Sequence, residues 1–225
     1  MNFSRKAALL CALMVGVVAS AAAQFGHHGP QAPQIPTPFK PVVGSGAEYQ
    51  FTGKGEDADF SYAVVGQEQV DGANGYWLEI RIANAKKMKG ETVMKELMVM
   101  NGNQPDIKRL IMQPPGRPPM EMPESMIGMI RKHTPAAAGG NEKTGGPGEK
   151  IGTETITVPA GTFECDHYRT QEEGSPVDLW VSSKVSPYGV VKMVRNDATM
   201  VLQKVLTNET SHITGEPQKL QMPHF

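Results

Sequence analysis

Alternation of apolar and polar residues is the clearest pattern along this chain. From residue 76 to residue 83, Tyr, Leu and two Ile at even positions alternate with Trp, Glu and Arg at odd positions. A period of two is typical of a β-strand that buries one face. Similar alternation, or a short apolar run bounded by turn residues, predicts strands over residues 47–52, 58–66, 76–83, 92–100, 106–113, 150–158, 162–171, 177–183, 190–195 and 199–207.

The connections between these strands are short and rich in turn-forming residues, as in residues 70–75 and 159–161. Parallel strands need long crossovers, so short connections favour antiparallel neighbours. About nine or ten strands rarely stay flat in one open sheet, because the strand twist accumulates. We therefore expect a mainly β fold: a large curved antiparallel sheet, shaped as a half-barrel, whose concave side is a natural cavity.

Residues 92–100 and 106–113 are apolar at both odd and even positions, which indicates strands that are covered on both faces. A short helix over residues 123–132 is the candidate cover. Pro123 and Glu124 suit its first turn, and the apolar residues at 126, 127, 129 and 130 form one stripe. The sequence therefore predicts one short helix over the sheet.

The first 23 residues have the composition of a secretory signal peptide. Arg5 and Lys6 precede an apolar run over residues 7–19, and small residues follow at 20–23. The run is shorter than the roughly 20 apolar residues that span a bilayer. We therefore expect cleavage before Gln24 and a periplasmic or secreted protein. Cys11 follows two leucines instead of small residues, which disfavours acylation of this cysteine.

Three regions are expected after the signal peptide. Residues 24–46 are rich in Pro, Gly, Gln and Ala and predict a flexible arm. Residues 47–207 predict a single β-rich domain, and residues 208–225 lose periodicity and predict an irregular C-terminal tail. We expect no transmembrane segment in the mature chain, because none of its regions has a long apolar stretch.

Charge and cysteine content narrow the possible classes. The mature chain holds 20 basic and 23 acidic residues, a net charge of about −3 without a basic stripe, which argues against a nucleic acid partner. Cys165 is its single cysteine, so no disulfide can form within the mature chain. Small exported domains often depend on disulfides, and here the core and the sheet must supply the stability.

Enzymatic chemistry has little support in the sequence. The chain has no Gly-x-Ser-x-Gly elbow, no phosphate loop and no clear carboxylate pair, and its His and Cys spacing is not that of a metal site. Cys165 and His167 share one strand face, and such a pair can activate a thiolate, although same-face pairs also arise by chance. We expect a non-enzymatic protein without a cofactor or a resident metal.

Methionine is the unusual residue of this chain. Nine of the 12 methionines that remain after export lie between residues 88 and 129. Methionine is flexible and polarizable, so these residues either fill the core or line a site for an apolar ligand. The predicted lining of such a site is Met94, Met98, Met100, Leu110, Met112, Met126 and Ile130. Copper handling is a further interpretation, because thioethers favour Cu(I) and two Met-x-Met units occur, at 98–100 and 120–122.

Four strings in the chain resemble a known group of proteins. They are Thr-Val-Pro-Ala-Gly-Thr-Phe-Glu-Cys at 157–165, Asp-Leu-Trp-Val-Ser at 178–182, Val-Ser-Pro-Tyr-Gly-Val-Val-Lys at 185–192 and Tyr-Trp-Leu-Glu-Ile at 76–80. Over residues 47–207 the chain resembles secreted, mostly uncharacterised bacterial proteins, related in pattern to periplasmic lipoprotein carriers of the Lol type. The resemblance implies a half-barrel sheet with helical cover over an apolar cavity. Lol-type carriers have more helix over the open face than the one short helix predicted here.

These observations lead to three hypotheses of function. The first is an exported envelope protein that binds a lipid, or another apolar ligand, in the concave face of its sheet. The second is a structural or interaction module that contributes an edge strand to an envelope assembly. The third is a copper-handling protein. The expected partners are a lipid, a lipoprotein or another envelope protein.

Overall fold

The computed structural model describes residues 37–53, 57–85, 89–102, 104–133, 148–172, 175–196 and 198–220. All of them belong to one compact unit, Ala32–Phe225. The predicted signal peptide, most of the predicted arm and residues 134–147 lie outside the described residues, as does the side chain of Ile130.

The described part of the chain forms 12 strands and one α-helix. The strands are β1 Ser45–Gly53, β2 Ala58–Val70, β3 Ala73–Ala83, β4 Thr92–Asn101, β5 Gln104–Gln113, β6 Met120–Glu121, β7 Glu149–Val158, β8 Gly161–Glu172, β9 Ser175–Val181, β10 Val190–Arg195, β11 Ala198–Thr207 and β12 Gln218–Lys219. The helix, α1, is Glu124–His133.

All of these strands join one open sheet in the order β12-β6-β5-β4-β3-β2-β1-β11-β10-β9-β8-β7. Neighbours pair antiparallel, except that β12 and β6 pair in parallel. Register shifts interrupt five of the pairings, and such irregularities bend a sheet and increase its twist. The prediction of a mainly β protein, with one large curved antiparallel sheet and a short helix, is confirmed.

Strands β2 and β3 extend further toward their shared turn than the sequence pattern predicts. The turn consists of Asp71 and Gly72 alone, with φ of 51° and 82°. Two consecutive left-handed residues match the twist of an antiparallel hairpin, and Asp-Gly is a preferred pair for them. Most of the residues that the sequence analysis took as a turn cluster, 70–75, therefore continue the two strands.

The helix forms where the sequence predicts it. The Pro123 carbonyl accepts hydrogen bonds from the amides of Met126 and Ile127, so proline stands just ahead of the first helical residue, where no N–H is required. Glu124 lies in the first turn and interacts favourably with the helix dipole. Helix α1 packs against β5, and Ile127 is buried there.

Both faces of β3 and β4 are buried. The face called here the core face carries Leu78 and Ile80 of β3 and joins them to aromatic residues of β1 and β2 in the main hydrophobic core. The opposite face carries a smaller cluster of Trp77, Leu97 and Ile111. The two-sided apolar pattern of residues 92–100 reflects this arrangement, because β4 contributes alternate side chains to each cluster.

The C-terminal segment covers the opposite face. Ile213 packs against the cluster that contains Trp77, and the Ser211 hydroxyl and the His212 amide donate hydrogen bonds to Glu79 of β3. The sequence analysis expected residues 208–225 to leave the domain as an irregular tail. Residues 208–217 have no helix or strand, but they lie on the sheet, and β12 continues them beside β6.

The segment before β1 is also attached to the sheet. The Lys40 amide donates to the Pro187 carbonyl at 2.8 Å, the Thr37 hydroxyl donates to the Tyr188 carbonyl, and Phe39 is buried in the main core. The sequence analysis placed residues 24–46 in a flexible arm. From Thr37 onward this segment is instead fixed to the loop between β9 and β10, and β1 already begins at Ser45.

Candidate functional site

Strand register places five of the seven predicted lining residues on the core face. Side chains two residues apart on a strand share a face, and residues directly opposite each other on paired strands do so too. Met94 of β4 lies opposite Met112 of β5, and Glu96 lies opposite Leu110. The five residues brought together are Met94, Met98, Met100, Leu110 and Met112.

Burial divides these five residues into two kinds. Met98 and Leu110 are each 3% exposed, so they fill the interior and are not available to a ligand. Met94, Met100 and Met112 are half-buried. The interpretation as core therefore holds for Met98, and the interpretation as ligand lining stays a prediction for Met94, Met100 and Met112.

Three other residues extend the accessible part of this face. Two of them lie on either side of Met98: Tyr76 is opposite Met98 on β3, and Ile107 is opposite Met98 on β5. Tyr76 and Ile107 are both half-buried against the main core. Glu96 is half-buried between the methionines of β4. The half-buried surface on β3–β5 is called here the methionine face, and its residues are Tyr76, Met94, Glu96, Met100, Ile107 and Met112.

The two remaining predicted lining residues belong to α1. Met126 is half-buried, and its helix packs against β5, the outer of the two methionine strands. The side chain of Ile130 lies outside the described residues. The structure thus places Met126 on a helix next to β5, and its role in lining a site stays a prediction.

Aromatic rings border the methionine face on the side of β1 and β2. The Phe39 ring lies 6.5 Å from the Tyr76 ring and 5.5 Å from the Tyr188 ring, and Tyr188 lies 5.7 Å from Tyr62, all between centroids. Tyr188 is half-buried. Tilted and edge-to-face pairs of this kind stabilise a core by about 0.5–1.5 kcal/mol beyond the burial itself. The sequence places Tyr188 at a turn but does not show that it meets these rings.

Glu96 is the ionisable group of the methionine face. Burial raises its pKa to about 7, because the low-polarity surroundings disfavour the charged carboxylate. Burial raises the pKa values of the Tyr62 and Tyr188 phenols, and the negative charge of Glu96 raises them further. The sequence analysis missed Glu96, although a glutamate in step with Met94 and Met98 on a predicted strand is a visible signal.

A second buried carboxylate, Glu79, lies on the opposite face and is 1% exposed. One of its oxygens accepts from the Ser211 hydroxyl at 2.7 Å, and the His212 amide lies 3.0 Å from the carboxylate. The His212 ring is 2.8 Å from the same group. This carboxylate is saturated by the C-terminal segment, so its role is structural.

The Cys165–His167 pair does not form a reactive thiol. Cys165 is buried, burial raises its pKa to about 11, and its Sγ contacts the Phe163 carbonyl. The His167 ring instead contacts Glu154 at 2.7 Å and Asp178 at 2.9 Å. A protonated, enclosed thiol is a poor nucleophile, so this geometry does not support thiol chemistry.

The structure offers few accessible ligands for a copper site on β4. Within the described residues, no group of three or more His, Cys, Asp and Glu side chains is arranged to hold a metal ion. In the Met98-Val99-Met100 unit both thioethers share a face, but Met98 is enclosed by the core. One accessible thioether from this unit leaves most of the coordination of Cu(I) to other groups.

Comparison with known proteins leaves the chain without a family assignment. No family model matches it, and no curated protein matches it. Two crystal structures align with 75% of the chain. One is a Bacteroides fragilis protein described as exported and as having a YmcC-like fold, 14% identical, covered over 99% of its length, with a TM-score of 0.35. The other is described as a lipoprotein from Parabacteroides distasonis, 16% identical, covered over 98%, with a TM-score of 0.36.

These scores are too low for either protein to inform the function of this chain.

Among the residues that the structure describes, no helix has the length and apolar character needed to span a bilayer.

Proposed function

We propose that this chain is a non-enzymatic exported protein of the bacterial envelope that holds a lipid, or another apolar ligand, against the methionine face. The observation that supports this function is the half-buried state of Met94, Met100, Tyr76 and Ile107, which pack on the main core and still contact solvent. A surface of this kind retains apolar area that a ligand can remove from water.

Methionine suits such a surface because its side chain adapts to ligands of irregular shape. Burial of apolar area contributes about 25 cal/mol per Å², so a chain lying across several half-buried side chains gains binding free energy from each of them. Glu96 within this surface and the tyrosine rings at its edge supply the polar groups that would orient such a ligand. Export and the envelope location rest on the signal-peptide pattern of residues 1–23.

Lipid extraction tests the proposal directly. Native protein, purified from its own envelope fraction and extracted with organic solvent, should release a stoichiometric apolar compound detectable by mass spectrometry. The delipidated protein should bind a fluorescent fatty acid. A protein that is empty on extraction and binds no fluorescent probe would overturn the proposal.

A variant pair locates the binding to this face. The Met94→Gln, Met100→Gln double variant should weaken probe binding by about tenfold or more, because two polar amides replace apolar contacts. Met193→Gln is the matched control, since Met193 is a half-buried methionine that packs on the same core from β10. The control should bind as the wild type does, and equal losses in both variants would place the ligand elsewhere.

A second candidate function rests on β7. This strand ends the sheet, and eight of its ten residues are exposed, so it offers unpaired backbone groups for strand addition. A partner strand from an envelope protein would pair there. Crosslinking in intact cells from a cysteine placed at Thr155, with Thr92 of the sheet interior as the silent comparison, should capture a partner; an uncrosslinked monomer argues against this function.

A further inference from the structure

Glu96 is an acidic group in an otherwise apolar lining. On β3 it lies opposite Leu78 and on β5 opposite Leu110, both of them buried. Its neighbours along the same face of β4 are Met94 and Met98. A carboxylate with apolar side chains on all four sides of the sheet surface is poorly solvated, and an ion of opposite charge is the partner that such a group favours.

The position of Glu96 relative to the aromatic rings strengthens this point. Tyr76 is its diagonal neighbour on β3, two residues from Leu78, within reach of a long side chain or a bound group. The Tyr188 ring is joined to Tyr76 through Phe39, with centroid distances of 5.5 and 6.5 Å. Tyr76 and Tyr188 are both half-buried residues.

A carboxylate beside half-buried tyrosines is the chemistry that recognises an ammonium group. The faces of aromatic rings attract cations, most strongly where water is excluded, and methyl groups on nitrogen fit well between rings. A hydroxyl or a phosphate gains nothing from the rings, and an anion is repelled by Glu96. The methionines beside the carboxylate then accept the apolar part of the same molecule.

We propose that the ligand of the methionine face is an amphiphile with an ammonium head, which Glu96, Tyr76 and Tyr188 bind while the methionines hold its alkyl chain. This inference rests on the proposed function, because it names the class of ligand for the same surface. The shared chemistry is an alkylated or protonated amine on a long chain, supplied either by a phospholipid headgroup or by a free amine.

Calorimetric titration with three probes of equal chain length tests the inference at pH 8. The probes are dodecyltrimethylammonium, neutral dodecyl maltoside and anionic dodecanoate, each below its micellar concentration. The ammonium probe should bind at least about tenfold more tightly than the neutral one, and dodecanoate should bind most weakly. Equal affinity for the ammonium and neutral probes would overturn the inference but leave the proposed function standing. Loss of binding for all three probes would overturn both.

Two variants assign the preference to the named groups. Glu96→Gln should remove the tenfold preference for the ammonium probe while the neutral probe binds as before, and Tyr76→Leu should reduce the preference by about threefold or more. Glu164→Gln, an exposed glutamate of β8, is the matched control and should change neither affinity. A preference that survives in Glu96→Gln would overturn the assignment.

The pH dependence is an independent readout. Because the pKa of Glu96 is about 7, the ammonium probe should bind up to about tenfold more tightly at pH 8 than at pH 6, and the neutral probe should not change. The titratable groups that face Glu96 are the Tyr62 and Tyr188 phenols. Burial raises the pKa values of both phenols above their ordinary value, so neither phenol titrates between pH 6 and pH 8. An ammonium affinity that is flat between these pH values would contradict the role of Glu96.

Lysophosphatidylcholine identifies the source of the ammonium group. Affinity equal to that of the ammonium probe would assign a phospholipid headgroup, since the phosphate is then tolerated beside Glu96. Affinity as low as that of dodecanoate would assign a free long-chain amine. Both outcomes retain the ammonium class and differ only in where it comes from.

Discussion

At the scale of single residues, two carboxylates lie among the apolar side chains of β3 and β4. Glu79 and Glu96 are carboxylates of neighbouring strands, but they lie on opposite faces and differ in burial, since Glu79 is 1% exposed and Glu96 is half-buried. Glu79 is saturated by hydrogen bonds from Ser211 and His212. Glu96 is surrounded by methionine, leucine and tyrosine, and burial therefore raises its pKa. The first stabilises the fold, and the second is the group that we propose as the partner of the ligand head.

Stability should depend on pH through Glu96. Its folded pKa of about 7 lies above the ordinary value of 4.5, so the folded state holds the proton more tightly and stability falls as the pH rises between these values. Glu96→Gln does not titrate, so this variant should gain about 1–3 kcal/mol over the wild type on going from pH 5 to pH 8. Urea unfolding at both pH values measures this difference. A Glu164→Gln control should follow the wild type, and a gain in that control as well would contradict the assignment to Glu96.

Gly46 is a residue at which the close approach of two strands excludes a side chain. A Cβ atom there would lie 2.6 Å from the Tyr62 carbonyl oxygen and 2.8 Å from the Ala63 Cβ. We expect Gly46→Ala to lower the free energy of unfolding by about 1–3 kcal/mol through strain between β1 and β2. Gly152→Ala on β7, where no atom lies within 4 Å of the added Cβ, should stay within about 0.5 kcal/mol of the wild type. Equal effects in thermal unfolding would refute the steric explanation.

At the scale of elements, β3 and β4 contribute side chains to hydrophobic clusters on both faces of the sheet. The apolar pattern of residues 92–100 and 106–113 predicts a cover on each face of these strands, and the short helix is the only cover visible in the sequence. In the structure, α1 contacts β5, and the opposite face of β3 and β4 is covered by the C-terminal segment. A segment without periodicity can serve as a cover, because a few apolar residues and hydrogen bonds to a buried carboxylate are enough to fix it.

Glu79→Ala should release this C-terminal segment. The change leaves the Ser211 hydroxyl and the His212 amide without their acceptor, and we expect a loss of about 2–4 kcal/mol in unfolding free energy. Limited proteolysis should then cut near residue 211 before the rest of the domain unfolds. Glu216→Ala, an exposed glutamate of the same segment, is the control and should resist proteolysis as the wild type does. Unchanged proteolysis in Glu79→Ala would show that the other contacts of the segment, such as those of Ile213 and of Thr214 with Gln113, are enough to hold it.

At the scale of the whole molecule, one sheet joins all the described strands, and Cys165 is a free thiol within it. Its main core runs from Phe39 through β1 and β11 to Phe163 and Cys165 of β8, so both halves of the chain share one interior. β1 pairs with β2 on one side and with β11 on the other, which joins the two halves at the centre of the sheet. We therefore expect the domain to unfold as a single cooperative unit.

Cys165 reports on this cooperativity. It is 1% exposed, and with a pKa of about 11 only about a thousandth of it is thiolate at pH 8. A thiol reagent should therefore leave the folded protein unmodified and react fully in concentrated guanidinium chloride. Glu164→Cys, which places a thiol on the exposed side of the same strand, should take up one equivalent in the folded state. Rapid modification of Cys165 in the native wild type would show that the β8 end opens separately.

The sequence by itself determined the elements of this protein. Strand alternation, the turn at Asp71-Gly72 and the helix start at Pro123 are local properties of the sequence. They predicted the β class and the helix. They also placed Met94, Met98 and Met100 on one face, because side-chain direction on a strand depends only on the period of two. Three residues of the methionine face, Met94, Met100 and Met112, also belong to the predicted lining, whose role as a ligand site stays a prediction.

Only the tertiary structure decided what meets this face and what covers the other. Thr37 reaches Tyr188 across 151 positions and His212 reaches Glu79 across 133, and no local pattern encodes contacts at such separation. Burial likewise distinguishes the enclosed Met98 from the accessible Met100, which the sequence cannot separate. The physical reason is that exposure and pKa depend on every element that packs around a side chain, whereas periodicity depends on the chain's own neighbours alone.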